Sequence, residues 1–256
     1  MNIIGYFHIC QKEGWKRSFD MIFNKIKESG LYDNTKEIRI GIVNDLSHER
    51  GELINDPRLE DPKFKILFVR SSNEYERPTI LHMRESADNE ENYYWYVHTK
   101  GLRHFGEPCE SYVIDWINFL SYWNITKWSF AVKMLSREWD TYGCNSLNRI
   151  HYSGNFWWTK SSHLKNLPRS IESYYTAPED YICIKNDKMF NILNSGLEGA
   201  GHYWHNHPME KYLIPDDFDL DAYFQLNYND FHWLSYEELI YHYLKWGKNE
   251  GRKYKY

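Results

Sequence analysis

The sequence predicts an α/β fold, a mostly parallel sheet flanked by helices, with a small helical appendage at the C-terminus. Three observations predict it. The chain opens strand–helix–strand. Two more strand-like runs follow with a helical stretch between them. The last segment carries its own helix start and stop signals.

Residues 2–10 (NIIGYFHIC) read as a buried strand. Trp15, Phe19, Ile22, Phe23 and Ile26 then recur at helical spacing, and Ser29-Gly30 supplies the stop. Residues 37–43 (EIRIGIV) form a second strand, so the opening unit is the start of a parallel sheet. Residues 45–62 are polar, contain two Asp-Pro steps and read as a loop. Residues 63–70 are a third strand. A helix is expected over 76–86, with Pro78 near its N-terminus, and a fourth strand over 93–98 runs straight into Thr99-Lys100-Gly101. A long helical region is expected over 111–139, a loop entering a strand over 151–159, and helices over 162–167 and 178–194.

A boundary at 215–218 divides the chain into a main domain, residues 1–213, and a tail, residues 214–256. In the tail, Ser235 and Glu238 have the spacing of a capping box, with Leu234 and Leu239 as its hydrophobic staple. Leu239, Tyr243 and Trp246 give one apolar face, and Gly247 ends the helix. So small a piece cannot bury a core alone and should dock on the main domain.

The 256 residues suffice for one α/β domain plus this appendage. The net charge of -5 offers no basic field for nucleic acid, and Arg252, Lys253 and Lys255 read as a solvated terminus. Cys10, Cys109, Cys144 and Cys183 form no CxxC pair or zinc spacing, which suits a reducing compartment. No signal-peptide pattern and no apolar run of the ~20 residues that a membrane span needs is visible, so a cytoplasmic protein is expected. Aromatics are abundant, with 11 Trp, 22 Tyr and 13 Phe. They bury much area each, but their faces also stack on the C–H faces of sugars.

Four segments carry chemistry. His98-Thr99-Lys100-Gly101 stands at the carboxyl end of a central strand, where open α/β sheets bind ligands. Lys100 can neutralise a phosphate and Gly101 lets the backbone approach, with Arg103 and His104 adding charge. The plainer alternative is a strand-to-loop turn with a surface lysine. His151-Tyr-Ser-Gly-Asn-Phe-Trp-Trp158 offers amide donors and stacking faces for a sugar, or else a tight turn before a buried aromatic strand. Glu179 and Asp180 sit at a helix start, which the helix dipole favours; either carboxylate could also take a proton from a hydroxyl. His202, His205 and His207 match neither a zincin nor a zinc-finger spacing, and a His-ligated metallohydrolase is the weakest of the readings.

Taken together, YVHTKG (96–101), YSGNFWW (152–158), PEDYI (178–182), GHY (201–203) and HPMEKY (207–212) resemble the glycosyltransferases of large DNA viruses and bacterial polysaccharide clusters that carry HTKG and GNFWW segments. The resemblance spans roughly residues 3–213, and the tail resembles a small helical module appended to such enzymes. It implies a GT-A, Rossmann-like fold and transfer from a nucleotide diphosphate sugar, with uridine as the nucleotide, to a hydroxyl of a glycan. The alternative is an inactive sugar-binding relative.

For the donor, the resemblance implies Tyr6, His8, Arg77, His98, Thr99, Lys100, Gly101 and Arg103. For the acceptor it implies Ser153, Gly154, Asn155 and Trp157. Asp180 and Glu179 would supply the base, and His202 matches a histidine that joins a metal. The family's DxD motif is replaced by His98-Thr99-Lys100. The cofactor is therefore expected to be either absent or Mn2+/Mg2+, with Lys100 replacing the metal's charge. Asp219-Leu-Asp221 is a literal DxD, but it lies in the tail and is read as a decoy.

Overall fold

The computed structural model describes residues 1–45, 53–89, 91–146, 151–197 and 199–256. The loop expected over 45–62 falls partly outside these. The strands are β1 (Asn2–Gln11), β2 (Glu37–Asn44), β3 (Phe64–Ser71), β4 (Asn92–His98), β5 (Thr141–Gly143), β6 (Trp157–Lys160) and β7 (Met189–Asn191). They form one mixed sheet in the order β3-β2-β1-β4-β6-β5-β7. β1 to β4 are mutually parallel, β6 runs antiparallel to both β4 and β5, and β7 is parallel to β5. The α/β expectation thus holds, with a mostly parallel, Rossmann-like sheet.

Both faces of the sheet are covered, so its central strands are apolar on both sides of their alternation. On one face Phe7, Ile9, Trp95 and Val97 pack against α1 (Trp15–Glu28), α4 (Glu110–Ser121) and α5 (Trp128–Leu135). On the other, Ile4, Tyr6, Tyr94, Tyr96 and Trp157 pack with Ile80 and Met83 of α3 (Arg77–Ala87) and Leu164 of α6 (Ser161–Asn166). The apolar stripe Trp15, Phe19, Ile22, Phe23, Ile26 is buried as its spacing predicts.

Three expectations are corrected. The helix expected over 111–139 is two helices joined by a π-turn at Tyr122–Thr126. Its cause is local. Asn124 Nδ2 donates back to Leu120 O at 3.0 Å, while Asn124 O accepts from Trp158 Nε1 at 2.8 Å, so the helical ladder widens there. The helix expected over 178–194 is only α7 (Ala177–Tyr181); Lys185 adopts a left-handed φ of 52°, and the chain then forms β7. Third, β1 does not end at Cys10 but continues to Gln11.

The tail holds α8 (Leu220–Leu226), α9 (Tyr228–Phe231) and α10 (Tyr236–His242). Its Phe218, Leu220, Tyr223, Leu239 and Ile240 belong to the same apolar cluster as the main domain, so it docks as expected. The Ser235–Glu238 capping box forms. Trp246 does not join the buried face with Leu239 and Tyr243; it is largely exposed. Asp219 caps α8 through Asp221 N at 2.9 Å, and Asp221 pairs with Lys133 at 2.6 Å and Arg137 at 2.7 Å. The tail's DxD is therefore a cap and a docking ion pair. Among the described residues no helix is long and apolar enough to cross a membrane.

Candidate functional site

The strand order reverses direction between β1 and β4: β2 and β3 follow β1 on one side, and β4 lies on the other. In open α/β sheets ligands bind beyond the carboxyl ends of the strands at such a point. His98, Thr99, Lys100 and Gly101 stand there. Thr99 extends the β1–β4 ladder, its N donating to His8 O at 3.0 Å and its Oγ1 accepting from Cys10 N at 2.9 Å. Lys100 N donates to nothing in the sheet but to Ser18 Oγ of α1 at 2.8 Å. Gly101 has φ 73°, and a Cβ there would stand 2.2 Å from Val113 Cγ1, so the turn into α4 requires glycine.

This turn holds the Lys100 side chain in an unusual setting. It is only 7% exposed, and its ammonium lies 4.0 Å from the centre of the Trp116 ring. Among the described residues it forms no ion pair. His202 stacks on the same Trp116 ring at 4.7 Å and 8°. Gln11, the last residue of β1, is buried with its Nε2 unpartnered among the described residues. Arg103, exposed, follows at the rim with its Nε 3.2 Å from His104 Nε2.

The carboxylate that organises the site, Glu76, escaped the sequence reading. It stands immediately before α3 without capping it, and its Oε2 accepts from Tyr96 OH at 3.1 Å and from Asn155 Nδ2, while Oε1 lies 3.5 Å from His98 Nδ1. Trp157 Nε1, which can only donate, gives its hydrogen to Asn155 Oδ1 at 2.6 Å and so fixes Nδ2 as the donor toward Glu76. One acid thereby joins the HTKG and GNFWW segments. Its only sequence signal was its place just before the helix that follows β3. His98 is further held between Thr99 O and Gly154 O, each 3.0 Å from a ring nitrogen. A neutral ring donates to only one of them. Burial, reinforced by the nearby Lys100 charge, pulls the His98 pKa down to about 4, so the ring is neutral at neutral pH.

Several residues expected to touch ligand serve the framework instead. Tyr6 is buried mid-strand, its hydroxyl bonded to Arg39 at 2.9 Å and Ser86 at 3.1 Å. His8 is buried against Thr79 Oγ1 at 2.8 Å, and burial lowers its pKa to about 4. Both point to the face covered by α3, and β1 runs on past His8 for three more residues. Arg77 donates to Glu172 O at 2.9 Å and Tyr174 O at 2.6 Å, clamping the segment before α7.

The expected acceptor residues are also walls. Ser153, Asn155 and Trp157 are buried, and Trp157 stacks on Tyr96 at 4.9 Å. Gly154 has φ 95° and packs on Leu120. This is the buried aromatic strand after a tight turn, the plainer of the two sequence readings.

Glu179 and Asp180, on α7, lie at the same end. Glu179 acts electrostatically on Tyr96 and His98. Asp180 Oδ2 accepts from Tyr174 OH at 3.0 Å, and Oδ1 lies 3.5 Å from His151 Nδ1. His202 is buried; its Nε2 lies 3.1 Å from Asn145 Nδ2 and 3.0 Å from Ser195 Oγ, and burial drives its pKa down to about 3. His207 is also buried, while His205 is exposed. Among the described residues no three His, Cys, Asp or Glu side chains converge as metal ligands. Neither a protein-family model nor a curated protein sequence matches the chain.

Proposed function

We propose that the protein is a GT-A-type glycosyltransferase that moves a sugar from a nucleoside diphosphate sugar to a hydroxyl of a glycan. The observation that carries this reading is Lys100: a nearly buried ammonium without a carboxylate partner among the described residues, at the point where the strand order reverses. A buried charge is costly unless it is paired, and a diphosphate is the partner that this place in an α/β sheet offers. The Gln11 Nε2, unpartnered among the described residues at the carboxyl end of neighbouring β1, supplies a neutral donor. In the transfer, the acceptor oxygen bonds to the anomeric carbon and the bond from that carbon to the diphosphate oxygen breaks. The electron pair leaves with the diphosphate toward Lys100, and in an inverting reaction the hydroxyl proton passes to Asp180 or Glu179. The four cysteines, all free thiols, suit work in the cytoplasm.

The donor set also bears on the cofactor. Mn2+ and Mg2+ want oxygen ligands. Glu76 is already committed to Tyr96 and Asn155, Lys100 repels a cation, and His202 has its Nε2 engaged and offers only Nδ1, a single nitrogen where these ions want oxygen. These residues do not fit a divalent ion, and the proposed reaction runs without one. Lys100→Ala should weaken nucleoside diphosphate binding by about 10–150-fold, the loss of one charge-assisted contact of ~1.5–3 kcal/mol. Calorimetry checks this, and turnover should survive a chelator. Unchanged affinity in Lys100→Ala would overturn the donor assignment.

A second reading, a nucleotide-sugar-binding relative without turnover, has one observation in its favour: both oxygens of Asp180 already have neighbours, Tyr174 and His151. Incubation with labelled nucleotide sugars and glycan acceptors separates the two.

A further inference from the structure

The segment before α3 and the segment before α7 meet beside Glu76, and there they expose three tyrosines. Tyr75 is 46% exposed, Tyr174 52% and Tyr175 70%. The rings of Tyr75 and Tyr175 stand 5.5 Å apart at 88°, an open corner with one ring face on each side. Tyr75 adopts φ 53°, a region that bulky residues rarely visit and that persists only where the surroundings hold it. Arg77 does the holding. Its guanidinium lies 5.7 Å from the Tyr75 ring and donates to the carbonyls of Glu172 and Tyr174. Tyr174, in turn, donates to Asp180 at 3.0 Å. Thus an arginine holds the Tyr75 ring and the backbone that leads into Tyr175, one residue away from Glu76 and next to the acids of α7. Burial does not explain this arrangement, since the rings it fixes face solvent.

We propose that Tyr75 and Tyr175 form a subsite for a neutral pyranose ring, the acceptor sugar of the transfer reaction proposed above. Exposed aromatic faces take the C–H face of such a ring. Glu172, Glu179 and Asp180 around the corner can accept hydrogen bonds from hydroxyls, and their three negative charges outweigh the single Arg77 guanidinium, so a phosphate or acidic sugar does not suit it. The role as acceptor subsite rests on the glycosyltransferase reading; the sugar binding does not. This corner also supplies what the buried Ser153, Asn155 and Trp157 cannot, an aromatic surface that an incoming glycan can reach.

The test is ligand-observed NMR on the full chain with a panel of methyl hexopyranosides, alongside a calorimetric titration with a nucleoside diphosphate. At least one pyranoside should receive saturation from the protein. In Tyr175→Ala and Tyr75→Gly that signal should fall at least tenfold while nucleoside diphosphate affinity stays unchanged, and Tyr75→Phe should keep it. Tyr75→Gly separates binding from folding, because glycine accepts the positive φ and the variant should melt no lower than the wild type. No responding pyranoside, or an equal response in the variants, would overturn the subsite. Weakened nucleotide binding with pyranoside binding intact would also overturn it, by giving the rings to the nucleobase. Pyranoside binding at these tyrosines without any nucleotide binding would leave the subsite standing and sink the transferase reading.

Discussion

Glu76 shows how much of this site depends on single side chains distant in sequence. Its carboxylate satisfies Tyr96, 20 residues away, and Asn155, 79 residues away, and faces His98. Glu76→Ala leaves the Asn155 amide and the Tyr96 hydroxyl unmet in a buried setting, at about 1–3 kcal/mol for each. Glu76→Gln keeps an oxygen in the same place for both donors, so its loss should be under half as large. Urea denaturation of the two variants checks the order; equal losses would mean that the charge, not the acceptor oxygen, is what matters. The HTKG segment was legible in the sequence because a strand running into Thr-Lys-Gly marks a carboxyl end. Glu76 was not, because its role arises only when β3, β4 and the β6 entry are brought together. The residues Asn155 and Trp157 were ambiguous in sequence for a related reason. The residue types that suit a sugar also suit a buried polar network, and only burial distinguishes the two.

Among the elements, β1 to β4 and α1 were readable because long apolar runs and a clean helical stripe leave few alternatives. β5 and β7, three residues each, are too short to carry a period. The π-turn at Tyr122–Thr126 depends on a tryptophan from another strand, which no local pattern encodes. The turn from β4 into α4 permits a sharper test. Gly101→Ala adds strain from φ 73° and a clash with Val113, together about 2–4 kcal/mol. Val113→Ala alone leaves a small cavity. Combined, the two should be less destabilising than their sum, because the second change opens the space that the first one needs. Thermal melts of the cycle measure the coupling. Strict additivity would show that the clash is relieved elsewhere and that strain at φ alone makes the glycine necessary.

For the whole molecule, four buried histidines dominate the response to acid, with buried His163 shifted in the same direction. His8, His98 and His207 have pKa values lowered to about 4, and His202 to about 3, in each case first by burial. Lys100 adds to the effect at His98 and His202. An unfolded histidine titrates near 6.5. Above that pH all four rings are neutral in both states and contribute nothing to a pH dependence. As pH falls from about 6.5 toward 4, the unfolded chain takes up protons that the folded chain refuses, so stability falls with pH. Each ring gives a slope of up to about 1.4 kcal/mol per pH unit, and four together can exceed 5 kcal/mol per unit, against a total stability of about 5–15 kcal/mol. The protein should therefore unfold cooperatively between about pH 4 and 6, before most carboxylates titrate. Denaturant melts at pH 7.5, 6 and 5 should yield a slope above one proton per unit, and His207→Asn should lower it by roughly one; a flat profile across that range would refute the assignment. The same linkage reaches the proposed anion site. A nucleoside diphosphate sugar bound at Lys100 offsets the charge that depresses His98 and His202, so their folded pKa values should rise and the acid slope should become shallower than in the free protein. A bound ligand that raises stability equally at every pH would mean that it does not sit against Lys100.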